Sequence, residues 1–134
     1  MVRFLTLSEI MLILEDQIRR YGGIYGLRDL NLLSSAIYMP ESSFNGQYLH
    51  ESIPAMAAAY TYHICQNHPF MDGNKRVALA SSLVFLDING YEFNCEEDEL
   101  YNEIMNAAKG ERSKQELINF YEKYSTKSEG IIKA

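Results

Sequence analysis

The sequence predicts an all-α fold. Two reciprocal capping signatures, Thr6 with Glu9 and Ser113 with Glu116, mark helix starts, because hydroxyl and carboxylate each satisfy an orphan backbone donor. Apolar residues recur at helical spacing over most of the chain, and glycine or proline stops separate the runs.

The first helix runs from about Leu7 to Tyr21, with Gly22 and Gly23 as a left-handed stop. A second, about Leu30 to Tyr38, starts after Asp29 and ends before Pro40. Ser42 to Ser52 lacks helical periodicity, and its Asn45-Gly46 dipeptide suits a tight hairpin turn, so this stretch reads as a short β-hairpin flap. From Ile53 to Asn67, residues such as Ala57, Ala58, Thr61, Ile64 and Cys65 let a helix pack closely in the core. His68-Pro69 ends it, since the residue before proline is pushed out of the helical region. A fourth helix spans about Asn74 to Asn89, stops at Gly90 and is apolar on most sides, as a central buried helix would be. Tyr91 to Phe93 suits a short extended segment. Asn94 is expected to cap a fifth helix ending near Lys109-Gly110, and Ser113 opens a sixth.

At 134 residues the chain suits one domain, taken over residues 1–124, with a tail over 125–134. A net charge of -6 counts against direct nucleic-acid binding, which needs clustered Lys and Arg for counterion release. No run reaches the roughly 18 apolar residues of a membrane span, and Ile10 to Leu14 is flanked by acids with no cleavage site after it, so neither membrane nor export is expected. Cys65 and Cys95 fit buried thiols in a reducing, cytoplasmic compartment.

The chemistry concentrates in His68-Pro69-Phe70-Met71-Asp72-Gly73-Asn74-Lys75-Arg76, around one expected helix start. The first amides of a helix have no internal acceptor, and the dipole favours an anion there. Gly73 lets a phosphate approach the backbone, Lys75 and Arg76 add cationic donors, Asp72 can hold a divalent cation, and His68 can take a proton from a hydroxyl. Singly, most of these are commoner as caps or solvated charges, and Phe70 reads as an apolar anchor. Their convergence within nine residues favours a phosphate site. His63, Cys65 and His68 do not make a zinc site, because His63 and Cys65 point about 200° apart on a helix. The tyrosines and phenylalanines read as core and interface material.

The run His-x-Phe-x-Asp-Gly-Asn-Lys-Arg resembles the signature of Fic/Doc proteins in the Doc, or death-on-curing, form. Arg20-Tyr21-Gly22-Gly23, Ala58-Ala59-Tyr60 and Leu83 to Gly90 are similar too, which extends the resemblance over about residues 1–124. It implies the compact helical Fic fold, with His68 as catalytic base, Asp72 as the magnesium-associated acid, Gly73 and Asn74 in the anion-binding nest and Arg76 as phosphate-binding arginine. Asn45 and Gly46 fall in the flap that aligns a target's backbone in this family.

Two departures bear on the reaction. Lys75 stands where the standard Fic signature has glycine, and Leu79 where it has a second arginine. Both disfavour the deep placement of outer phosphates that adenylyl transfer requires. The Doc resemblance instead implies a reversed nucleotide, presenting the γ-phosphate of ATP or another nucleoside triphosphate with Mg2+ to a Ser or Thr hydroxyl. It further implies elongation factor Tu as target, arrest of translation as outcome and a Phd-type antitoxin as partner. Adenylyl transfer, or a non-catalytic antitoxin-binding co-repressor, are the alternatives. Ser125 to Gly130 also matches the Fic inhibitory-helix pattern, which would direct Glu129 at Arg76.

Overall fold

The computed structural model describes residues 1–128. Its α-helices are α1 (Leu7–Tyr21), α2 (Leu30–Tyr38), α3 (Ile53–Asn67), α4 (Asn74–Ile88), α5 (Glu97–Ala108) and α6 (Lys114–Tyr124). Two antiparallel strand pairs accompany them, β1 (Ser43–Phe44) with β2 (Gln47–Tyr48), and β3 (Tyr91–Phe93) with β4 (Ser125–Lys127). No helix among the described residues is long and apolar enough to cross a membrane.

Both expected capping boxes form, at Thr6 with Glu9 and at Ser113 with Glu116, while Asp29 and Ser52 cap α2 and α3 through their side chains. The β1–β2 turn carries Asn45 at φ 52° and Gly46 at φ 80°, the left-handed pair that a tight hairpin needs.

Helices α3 and α4 form the centre and run antiparallel, as three contacts along their length show: Asn74 lies beside His68, Thr61 Oγ1 donates to the Ala78 carbonyl at 2.9 Å, and the Tyr60 and Phe85 rings meet at 5.1 Å. Ala57, Ala58 and Ala59 are fully buried, and their small side chains let neighbouring backbones approach closely. Helix α6 inserts Tyr121 between the pair, where its hydroxyl meets Thr61 Oγ1 at 2.8 Å and Ser82 Oγ at 2.6 Å. Helix α1 packs on α4, and its Ile10 and Leu14 are buried in the core. Cys65 is buried too, whereas Cys95 is only half-buried.

Four details depart from expectation. Helix α4 ends at Ile88, and Asn89 becomes its cap, its side-chain amide donating to the carbonyls of Arg3 and Phe85. Val84 and Ile88 remain exposed on α4, so that helix is buried on one broad face only. Helix α5 starts after Glu96 instead of Asn94, because the Asn94 amide donates to the Tyr124 carbonyl at 2.9 Å and keeps the chain extended past β3. Ser125–Lys127, expected in the tail, pair with β3 as strand β4, and the Ser128 amide then donates to the Gly90 carbonyl at 2.7 Å. The opening residues of the inhibitory-helix pattern are therefore extended, and they lie beyond the end of α4 opposite Arg76. Glu129 itself lies outside the described residues.

Candidate active site

The site is the connection between α3 and α4. Helix α3 stops at His68, which adopts φ 50°, ψ 55°. Proline at the next position explains the stop, but it ordinarily pushes its predecessor into extended backbone. A left-handed histidine is instead a strained position that the surroundings must hold, a feature that concentrates at functional sites.

Those surroundings are a second loop, residues 23–29, laid along the first. The Arg28 and Asp29 amides donate to the Pro69 carbonyl at 2.7 and 3.1 Å, Leu27 bridges Phe70, and the Met71 amide donates to the Gly26 carbonyl at 2.9 Å. The Ile24 amide donates to Asp72 Oδ2 at 2.8 Å, which fixes that carboxylate. A Cβ added to Gly23 would stand 3.2 Å from Asp72 Cβ and 3.3 Å from Arg76 Nη2, so this glycine allows the two loops to close. Phe70 is fully buried, the anchor expected of it.

Gly73, at φ 80°, precedes α4 as its N-cap and brings no side-chain acceptor. The first bond back to the cap runs from the Val77 amide to the Gly73 carbonyl at 2.8 Å, leaving the amides of Asn74, Lys75 and Arg76 without a helical acceptor. Asn74 is buried, and its side chain belongs to the loop: Oδ1 accepts from the Phe70 amide at 2.9 Å and Nδ2 donates to the Phe70 carbonyl at 3.0 Å. The same Nδ2 lies 3.3 Å from each ring nitrogen of His68. Either neutral tautomer offers it one accepting nitrogen.

Arg76 donates through Nη1 to the Gln17 carbonyl at 3.2 Å and through Nη2 to the Gly22 carbonyl at 3.0 Å, and its guanidinium lies 5.9 Å from the centre of the Tyr21 ring. It thus satisfies carbonyls at the end of α1. A guanidinium has five N–H donors, so about three remain for an anion. One turn along α4, Leu79 joins Gln17, Tyr21, Ala80 and Leu83 around an apolar groove beside Arg76.

These residues surround a cleft of about 360 Å³ lined by Cys65, His68, Met71, Asp72, Gly73, Asn74, Lys75, Arg76 and Ala108. His68 and Lys75 are exposed to solvent there. Burial pushes the Cys65 thiol up to about 11, only partly opposed by Lys75, so it is a poor nucleophile at neutral pH. One exposed imidazole, one carboxylate, three amides without a helical acceptor and two cations therefore share one surface.

The model of the family described as Fic/DOC matches residues 4–86. The chain belongs to the Fic/DOC family. Its relatives place it in the Doc branch: it is 34% identical over 89 residues to Toxin Doc of Mycolicibacterium smegmatis, covering 63% of this chain and 68% of that one. It is 30% identical over 115 residues to Protein kinase doc of Escherichia phage P1, covering 84% of this chain and 87% of that one.

The structure brings His68, Asp72, Gly73, Asn74, Lys75 and Arg76 together around one cleft. Asn45 and Gly46 are not among its lining residues. Their hairpin packs through Tyr48 on Phe4, whose ring stacks on Phe85 towards the far end of α4. Sequence reasoning missed the contributions of Ile24 and Arg28. Ile24 acts through its backbone amide, which any residue but proline would supply.

Proposed function

We propose that this Doc-branch protein is a toxin that transfers the γ-phosphate of ATP or another nucleoside triphosphate to a Ser or Thr hydroxyl of a target protein. The observation that carries the reading is the shared cleft: His68 stands open to solvent beside α4 amides that have no helical acceptor, Lys75 and Arg76. The phage relative's name, Protein kinase doc, supports phosphoryl transfer, as do Lys75 in the nest and the apolar Leu79 where a second arginine would assist adenylyl transfer.

His68 takes the proton from the target hydroxyl, its oxygen attacks the γ-phosphorus, and the bond to the β-phosphate oxygen breaks to leave a nucleoside diphosphate. The α4 amides, Lys75 and the remaining donors of Arg76 face the negative charge on the phosphate oxygens. Asp72 would hold a magnesium ion: the Ile24 amide fixes Oδ2, which leaves Oδ1 as a hard oxygen donor for a cation. Magnesium bound there would supply charge neutralisation on the phosphates. By family resemblance the proposed target is elongation factor Tu, the outcome arrest of translation and the controlling partner a Phd-type antitoxin whose segment folds on the toxin.

The test is intact-protein mass spectrometry of elongation factor Tu after incubation with the protein, ATP and magnesium. A phosphoryl adduct with release of ADP is expected, and a His68→Ala variant should produce none. An AMP adduct with release of pyrophosphate would overturn phosphoryl transfer in favour of adenylyl transfer. Growth arrest by the His68→Ala variant as strong as that by the wild type would overturn the enzymatic reading.

A further inference from the structure

Arg28 lies one residue before the α2 cap, on the loop that covers the active-site connection. Its Nε donates to the His68 carbonyl at 2.7 Å and its Nη2 to the Asn67 carbonyl at 2.9 Å. Its own amide donates to the Pro69 carbonyl at 2.7 Å. One residue thus binds three consecutive carbonyls, on both sides of the peptide where the helix turns left-handed.

That turn is a chemical problem for the chain. The last carbonyls of a helix have no partner within it, and they form the negative end of its dipole. Glycine commonly makes such a turn; here the position is occupied by a β-substituted residue that is itself followed by proline, which rules out the usual continuation. A guanidinium suits these carbonyls twice over, by charge and by presenting two N–H donors in a rigid fork. Asn67 adds a second tie, its Nδ2 donating to the Leu32 carbonyl at 2.8 Å, which links the same peptide to α2.

We propose that Arg28 is a positioning residue for the transfer reaction: by gripping the carbonyls of Asn67 and His68 it holds His68 left-handed, and so holds the imidazole at the cleft against Asn74. This inference rests on the proposed role of His68 as base. It gives Arg28 no contact with nucleotide or target. Arg28 does not line the cleft, and its effect runs through one backbone turn. Without the fork, the connection can relax towards the extended conformation that proline favours, which carries the imidazole away from Asn74. A small displacement of a reacting group is enough to slow transfer severely.

The test compares wild type, Arg28→Ala and Arg28→Lys in two ways. In the transfer assay, Arg28→Ala should lower kcat by about tenfold or more while KM for the nucleotide stays within about twofold, because the nest on α4 is untouched. Arg28→Lys, which keeps the charge but not the fork, should recover part of the loss. In the second arm, the chain has only three histidines, His50, His63 and His68, so their imidazole NMR signals can be assigned by single substitution. Arg28→Ala should move or broaden the His68 signals and leave those of His50 and His63 in place. A wild-type kcat in Arg28→Ala, unmoved His68 signals, or a loss shared equally by kcat, KM and thermal stability would each overturn the positioning role. The NMR arm needs no turnover. If the wild type transfers no phosphate, the proposed function fails while a selective shift of His68 still supports the grip of Arg28.

Discussion

Asn74 ties the imidazole of His68 to the backbone of Phe70. Its Oδ1 accepts from the Phe70 amide at 2.9 Å, and its Nδ2 donates to the Phe70 carbonyl at 3.0 Å while lying 3.3 Å from both ring nitrogens. The amide therefore closes the loop that starts α4 and sets the ring beside it with the same atoms.

Replacing Asn74 should cost stability and activity together, in a pattern that separates the two. Asn74→Ala leaves the Phe70 amide and carbonyl without their side-chain partners, a loss of about 1–3 kcal/mol at so buried a position. Asn74→Asp can still accept from the Phe70 amide, but its second oxygen then meets the Phe70 carbonyl and the imidazole, where a negative charge favours a protonated ring. A protonated ring cannot act as base. Urea denaturation should therefore show both variants weakened, and the transfer assay should show Asn74→Asp reduced by about tenfold or more at neutral pH. Wild-type turnover in Asn74→Asp would contradict the orienting role.

Gly22 and Gly23 make a second test, since both have positive φ, at 86° and 117°. A Cβ at Gly22 would meet nothing within 4 Å, whereas one at Gly23 would meet Asp72, Ile18 and Arg76 between 3.2 and 3.3 Å. Gly22→Ala should cost only backbone strain, on the order of 1–3 kcal/mol. Gly23→Ala should cost at least as much and also displace Asp72 and Arg76, raising the nucleotide KM. Thermal melts measure the first effect and transfer kinetics the second. Equal kinetics in the two variants would remove Gly23 from the site's architecture.

The helices were legible because their signals are local. Thr6, Ser113 and the Asn45-Gly46 turn act within a few residues, and each appears where its chemistry put it. Asn94 misled because its amide is taken by Tyr124, thirty positions on, a partner that no local pattern announces. The nine-residue run around Asp72 was legible as one cluster of polar and charged groups for the same local reason. Its supports were not: Arg28 binds carbonyls and Ile24 donates an amide, and backbone groups are identical at every residue but proline. Ser125–Lys127 form a strand because β3 offers them a partner, a pairing that no local pattern announces either.

Acid should weaken the fold before the carboxylates titrate. Burial first, then the nearby Lys114 on α6 and His50, push His63 on α3 down to about 4. Burial and Lys114 also lower His50, in the loop after β2, although hydrogen bonding at Pro40 opposes the shift. In the unfolded chain both titrate near the ordinary histidine value of about 6.5. Above that pH neither state gains a proton. As pH falls below it, the unfolded chain binds protons that the folded chain refuses, so stability declines towards about pH 4 and then levels off as far as His63 is concerned. Urea midpoints should fall between pH 7 and pH 5, and His63→Gln should reduce that fall, with His50 contributing in the same direction. A pH-independent midpoint over this range would contradict the assignment.

The hydroxyl of Tyr121 should matter far less than its ring. Three hydroxyls meet in the core: Thr61 contacts the Ala78 carbonyl and Tyr121, and Ser82 contacts the Leu79 carbonyl and Tyr121. Each hydroxyl has one proton to donate, so three protons serve four contacts and one contact always goes without. In Tyr121→Phe, Thr61 and Ser82 can both donate to their carbonyls at 2.9 and 2.7 Å, leaving neither with an idle proton. The expected loss is therefore the net value of a hydrogen bond, about 1 kcal/mol. Tyr121→Ala removes a fully buried ring that packs beside Phe93 and opens a cavity between α3, α4 and α6, for a loss of about 3–5 kcal/mol. Urea unfolding of the two variants at neutral pH measures both. Burial pushes the phenol up to about 12, so ionisation of Tyr121 does not enter the comparison. A Phe variant as weak as the Ala variant would mean that the hydroxyl network, and not packing, joins α6 to the α3–α4 pair.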